Sequence, residues 1–435
     1  MPRAGPIPSG ARTVVPGDNI AVFASPDLQS PMVGRVSNVP LLFAEARPAG
    51  NGCRRAWFQI APAGWVCGMG AELRSGPAPR PISRIPEPIS WSYGVSTAAT
   101  VAYDSLEDAE SGRVERGHPW ARWQGFAVRG VRRASRQQFV ETMSGQFIPR
   151  GVVSSASRSE FHGVVVAGVA RGAQVARPAW VLPRRAGVYA TAESAARGQA
   201  RGQARTGFMQ QRAAAWVLET RTVLGRAVVR VAPDRWMRAG DLRILTPAPP
   251  PPDLEPRERW IDVDLDQQIM AAYEGDALIY ATLTSSGAAD TPTPTGTYRI
   301  WSKRVSQSMG YSVSHAHVLA EVPYVQFFDH AGRALHGVYW HGDFGRAHSH
   351  GCLNLSFQDA RWMFEFTTPQ LPDGWRSVIT DTARGTRVRV RRVIPPGAPT
   401  LVRRHHRRHP PSPAGPEEGP GAPAEVQLAP DVASR

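Results

Sequence analysis

Lysine is almost missing from this chain of 435 residues. Lys303 is the only one, so arginine supplies every other cation among 51 Lys and Arg, which against 36 Asp and Glu leave a formal net charge of +15. So one-sided a bias marks genome composition as much as function, and it weakens any argument from arginine clusters. The basic residues also lack the aromatic interleaving and the module signatures of nucleic-acid binding, so nucleic acid is not expected as a partner. No run of about 18 apolar residues occurs, which excludes a transmembrane helix from the sequence given. Residues Met1 to Val15 carry Pro2, Pro6 and Pro8 and no apolar stretch of a secretory signal, so export has to be inferred from chemistry. Cysteine is scarce as well: Cys53, Cys67 and Cys352 are the only three. The first two, 14 residues apart, either close a disulfide in an oxidising compartment or stay as two buried thiols, and Cys352 is the odd one out.

What is plentiful is Gly (41) and Pro (40), crowded into a few stretches, and this favours linkers and turn-rich β structure over long helices. The length predicts two to four folded units. Residues 17–74 read as short strands, Ile20 to Phe23, Val33 to Val36, Leu41 to Ala44, Trp57 to Ile60 and Gly64 to Val66, each bounded by Pro, Gly, Asp or Asn. With Ala56-Trp57-Phe58 and Ala63-Gly64-Trp65-Val66 this stretch resembles a bacterial SH3-like barrel. A Pro-rich linker, 75–88, has five prolines between Gly76 and Pro88. A β-rich unit of no recognised chemistry is expected over 89–175. A second SH3-like β unit is expected over 176–246, interrupted by the repeat Ala196 to Ala204, which reads as an exposed loop. A Pro-rich linker, 247–257, then leads to 258–392, and the basic, Pro-rich tail 393–435, without periodicity, is expected to be disordered.

The chemistry is concentrated in 258–392. Alternation from Ile261 to Leu265 predicts a half-buried strand, and a turn at Glu274-Gly275-Asp276 joins two more. Ser356 to Asp359 reads as a helix start, with the helix running to about Phe366. Between the turns and the helix stands Leu335-His336-Gly337-Val338-Tyr339-Trp340-His341-Gly342-Asp343-Phe344-Gly345-Arg346-Ala347-His348-Ser349-His350-Gly351-Cys352-Leu353-Asn354-Leu355. A thiol of ordinary pKa, about 8.5, is only a few per cent thiolate at neutral pH, so a nucleophilic cysteine needs a histidine within reach. Gly351 permits the sharp turn that aims main-chain N–H groups at a developing oxyanion.

This stretch closely resembles the signature of the YkuD-type L,D-transpeptidases, in which a histidine precedes Ser-His-Gly-Cys-apolar-Asn or Arg by a dozen or more residues. Twelve separate His336 from Ser349 here. The resemblance implies a mainly β fold: a C-terminal β-sandwich with one or two short helices, preceded by small SH3-like barrels. It implies a transferase with Cys352 as nucleophile, His336 as base, the Gly337 carbonyl holding the imidazole tautomer, and Ser349, His350 and Gly351 shaping the turn. His350 is the second candidate for the base. Substrate contacts are expected from Asn354, Arg346, Tyr339 and Trp340. The implied substrates are peptidoglycan stem peptides, with 3-3 cross-links as product, no cofactor, residence in the periplasm or cell envelope, and SH3-like units holding wall polymer. An L,D-carboxypeptidase, an enzyme anchoring proteins to the wall, and a non-catalytic wall-binding protein are the alternatives. Four histidines and a cysteine in seventeen residues invite a zinc reading, but a lone Cys in a Ser-His-Gly-Cys turn lacks the paired spacing of zinc ligands, so no metal is expected. His341 and His348 read as cleft-rim or structural residues.

Overall fold

The computed structural model describes residues 11–62, 64–75, 92–122, 124–134, 137–156, 158–169, 176–198, 205–310 and 318–392. Most of the 75–88 linker, the tail 393–435 and the Gln199 to Ala204 part of the repeat lie outside the described residues. The fold is mainly β, with three α-helices among the described residues, Leu106–Ser111, Ala192–Arg197 and Phe357–Phe366.

The C-terminal unit is a sandwich. One sheet has the spatial order Val164–Val169, Ala277–Leu283, Ile269–Glu274, Arg259–Asp264, Arg387–Arg391, Gly296–Arg299. Facing it run Leu353–Leu355, Ala334–Gly337, Val318–Phe327, Ser302–Gly310 and Trp375–Ile379. Alternate residues point to opposite faces of a strand, and one set, Ile261, Val263, Leu335, Leu353 and Leu355, meets Ala360, Met363 and Phe364 of the helix in a single core.

The strand Arg259–Asp264 departs from its half-buried reading, because both of its faces are covered. Trp260 stacks on Tyr273 with ring centres 4.4 Å apart, and the same cluster holds Trp180, Leu245 and Ala248. Asp262 is paired in the interior, 2.8 Å from Arg389 Nε and 2.7 Å from an Arg391 guanidinium nitrogen. Leu254 packs on the same cluster, so the Pro-rich segment 247–257 contributes to the cover and does not merely space two units.

Both ends of the helix Phe357–Phe366 are tied down by buried polar groups. At its start Ser356 Oγ accepts from the Asp359 amide at 3.1 Å. The Asp359 carboxylate in turn accepts from Ser356 Oγ, Tyr280 Oη, Thr282 Oγ1 and the Gly163 amide at 2.6 to 2.8 Å. Burial pushes its carboxyl up, while the side-chain and main-chain donors hold it down. At the other end the chain's one lysine donates from Nζ to the carbonyls of Phe364 (2.6 Å) and Thr367 (2.8 Å), where orphan carbonyls and the negative end of the helix dipole favour a cation. Burial draws the Lys303 ammonium down to about 7.

The preceding segments are built onto this sandwich. The first unit begins at the strand Ala11–Pro16, and Cys53 and Cys67 are bridged in it, with Cα atoms 5.8 Å apart, which closes the choice left open by their spacing. Its strand Met32–Val36 pairs antiparallel with Trp375–Ile379, so a sheet of 12 strands runs through both units. Residues 92–156 form a sheet of seven strands. The strand Val164–Val169, which the sequence groups with them in 89–175, instead adds to the edge of the C-terminal sheet, Val164 opposite Ala281. That placement covers an edge that would otherwise expose unpaired main-chain groups. In the 176–246 unit the repeat is corrected at its start: Ala196 is buried in the helix Ala192–Arg197 beside Ala192 and Ala195 and is not part of an exposed loop.

Candidate functional site

The strands Ala334–Gly337 and Leu353–Leu355 lie parallel, with Leu335 opposite Leu353, His336 opposite Asn354 and Gly337 opposite Leu355. Leu335, Leu353 and Leu355 face the core, so His336 and Asn354 share the other face of the sheet. Cys352 stands at the mouth of the second strand, two residues before Asn354. This register is what brings a histidine and a cysteine sixteen positions apart to the same end of adjacent strands.

The imidazole has a defined proton arrangement. His336 Nδ1 lies 3.0 Å from the Gly337 carbonyl, and a carbonyl only accepts, so Nδ1 carries the proton and Nε2 keeps a lone pair. The group is 3% exposed, and burial lowers its pKa to about 4, partly opposed by that hydrogen bond, so it is neutral at physiological pH. Cys352 is 5% exposed. The two therefore sit in a nearly dry environment, where polar interactions are stronger than in water.

The turn before Cys352 is clamped from within and from outside. Ser349 Oγ donates to the Cys352 carbonyl at 2.5 Å and accepts from the Gly351 amide at 3.1 Å. That bond commits the Gly351 N–H to the turn. Gly351 has φ +109°, a backbone region that side chains rarely enter, and an added Cβ would lie 3.3 Å from Arg333 Nε. From outside, Thr293 Oγ1 donates to the Gly351 carbonyl (2.9 Å), Thr291 Oγ1 to the Ser349 carbonyl (3.1 Å), and the Ser286 carbonyl accepts from the amides of His348 and Ser349. Thr291 and Ser286 were not singled out from sequence.

The connecting loop places the remaining predicted residues unevenly. Arg346, His348 and His350 are exposed. Trp340 is half-buried with its ring centre 5.9 Å from that of His336. Tyr339 is a correction: it is 2% exposed and stacks on Tyr93 of the seven-stranded unit at 3.8 Å, so it joins two units and has no face left for substrate. Asn354 exchanges main-chain hydrogen bonds with Ser285, both 3.0 Å, and its side-chain amide lies 2.9 Å from His341 Nε2. Burial, with help from His348 and His336, lowers His341 to about 3. Its ring centre is 4.6 Å from that of His348.

The loop is also held by the preceding segments. An Arg212 guanidinium donates to the Gly342 carbonyl, Arg243 Nε to the Gly345 carbonyl at 3.1 Å, and Phe161 stacks on Phe344 at 5.6 Å. Among the described residues no three His, Cys, Asp or Glu side chains converge as metal ligands.

Comparison with known proteins finds likenesses to the C-terminal part of the chain. Residues 258–390 match the YkuD family, described as the L,D-transpeptidase catalytic domain. The Bacillus subtilis protein YciB, whose name assigns it provisionally to the L,D-transpeptidases, is 28% identical over 144 residues, which cover 30% of this chain and 69% of that protein. Among solved structures, the Ldtfm-avibactam carbamoyl enzyme is 25% identical with a TM-score of 0.25, the match covering 32% of this chain and 49% of that one. An Enterococcus faecium L,D-transpeptidase is 24% identical with a TM-score of 0.25, covering 31% of this chain and 49% of the other. The match thus spans about half the length of each of these two structures.

Proposed function

We propose that the chain is a peptidoglycan L,D-transpeptidase of the cell envelope, working through a Cys352 thioester. The observation that carries the reading is the His336 Nδ1 to Gly337 carbonyl bond, on a strand whose register sets the imidazole beside the Cys352 turn. With Nδ1–H committed, Nε2 takes the Cys352 proton as sulfur attacks the carbonyl of the third stem residue. Collapse of the tetrahedral adduct breaks the peptide bond, and the imidazolium returns its proton to the departing D-alanine amine. An amine of a second stem then attacks the thioester, gives its proton to Nε2, and leaves a new amide, with the thiol restored. When that amine is a side chain on another stem's third residue the product is a 3-3 cross-link. Ser349 and Gly351 shape the turn, and Asn354, Arg346 and Trp340 face the donor peptide.

Labelling with a carbapenem tests the acyl-enzyme. Intact mass is expected to show one adduct per chain, absent in Cys352→Ala, and an unlabelled wild type would leave a non-catalytic wall-binding protein as the better account. Muropeptide products then separate amine from water as acceptor.

The Cys53–Cys67 bridge supports residence outside the reducing cytoplasm, in the periplasm or envelope. The first and third units are proposed as SH3-like holders of wall polymer. Full-length protein is expected to pellet with purified sacculi, and protein left wholly in the supernatant would sink that assignment.

A further inference from the structure

Among the described residues, Asn354 Oδ1 is buried without a hydrogen-bond partner, in a side chain only 3% exposed. Leaving such an atom unpaired in the interior is unfavourable, so the proton inventory around it is informative. The neighbouring His341 decides it. Its Nδ1 accepts from the Asp343 amide at 3.2 Å, and a main-chain N–H can only donate. A neutral imidazole has one proton, which must then sit on Nε2 and be donated. The Asn354 amide atom 2.9 Å away is therefore its oxygen, since an NH₂ there would oppose donor to donor. The two ends of a carboxamide have nearly the same shape, so only this inventory distinguishes them.

We infer that His341 is a positioning residue: it holds the Asn354 oxygen through Nε2–H, and so turns the Asn354 NH₂ to the cleft face as a donor for a carbonyl oxygen of the acyl donor. Asn354 lies opposite His336 on the face of the sheet where that donor has to be placed. The NH₂ then occupies the position that has no acceptor among the described residues, and an incoming peptide carbonyl supplies one. His341 contacts no reacting atom and acts through Asn354. The inference rests on the acyl-transfer reading above and extends it to the recognition of the donor peptide.

Two measurements on the full chain test it. Long-range ¹H–¹⁵N imidazole spectra of the wild type, with the His341 signals assigned by their loss in His341→Gln, are expected to show the Nε2–H tautomer. An Nδ1–H tautomer would overturn the inference whatever the activity. In kinetics with a tetrapeptide stem, His341→Leu is expected to raise KM about tenfold at unchanged kcat, the size of one hydrogen bond lost equally from ground and transition states. His341→Gln, which keeps a side-chain N–H able to reach the Asn354 oxygen, is expected to restore KM to near the wild-type value. A KM in His341→Leu equal to wild type overturns the inference alone, provided the wild type forms its carbapenem adduct. A wild type that forms none removes the acyl-transfer reading beneath it.

Discussion

Cys352→Ala is expected to abolish carbapenem acylation and transpeptidation outright, and His336→Ala to slow acylation by about 10²–10⁴-fold, the usual contribution of a positioned general base. The distinguishing signature is pH. An imidazole at its ordinary pKa of 6.5 would lose its lone pair through mild acid, but burial places His336 at about 4. The base is competent above its pKa and is lost as pH falls through it. The acid limb of the acylation rate is therefore expected near pH 4, with little change between pH 7 and 5.5, and a limb near 6.5 would contradict the dry environment described for the ring. His350→Ala serves as the control, because His350 is exposed and the second candidate for the base. If His350→Ala is dead and His336→Ala active, the assignment of the base is reversed.

Trp375→Ala is expected to destabilise the protein by about 3–5 kcal/mol, the range for removing a large buried aromatic side chain. Trp375 belongs by sequence to the C-terminal unit, yet it is 2% exposed within the core of the first, among Val22, Val36, Ile60 and Val66. Its indole donates to the Ala61 carbonyl at 3.2 Å. Space for the ring is made by Gly34, where a Cβ would lie 2.6 Å from the indole, inside any real contact distance. Its strand continues the sheet from Ser302–Gly310 into Met32–Val36. Urea denaturation followed by tryptophan fluorescence is expected to show a lower midpoint for Trp375→Ala. A midpoint equal to wild type would mean that the two units fold without drawing stability from their joint. Gly34→Ala probes the same joint from the other side and should fail in the same direction.

Much of the site was legible because its residues are close in sequence. The turn Ser349-His350-Gly351-Cys352 and the cap at Ser356 are local, and their geometry follows from a few adjacent dihedrals and side chains. The Gly337 carbonyl sits one residue from the ring that it orients. The β character was legible from Gly and Pro punctuation and short apolar alternation. The exposed-loop reading failed at Ala196 because a short helix with three small apolar residues leaves little periodic signal in so few positions.

Residue types and spacing thus determined, by themselves, a mainly β chain and a Ser-His-Gly-Cys turn preceded by a histidine, since such features depend on forces acting over a few residues. Only the tertiary structure decided that Tyr339 is a joint with Tyr93, that Val164–Val169 completes the C-terminal sheet, that Trp375 fills another unit's core, and that His341 meets Asn354. Most of these pairings join residues more than a hundred positions apart, and even His341 and Asn354, thirteen apart, meet only because a braced loop returns across the sheet. Apolar burial and hydrogen bonding reward many alternative partners equally, so the partner is chosen by how the whole set of faces closes on itself and not by the local pattern of any one segment.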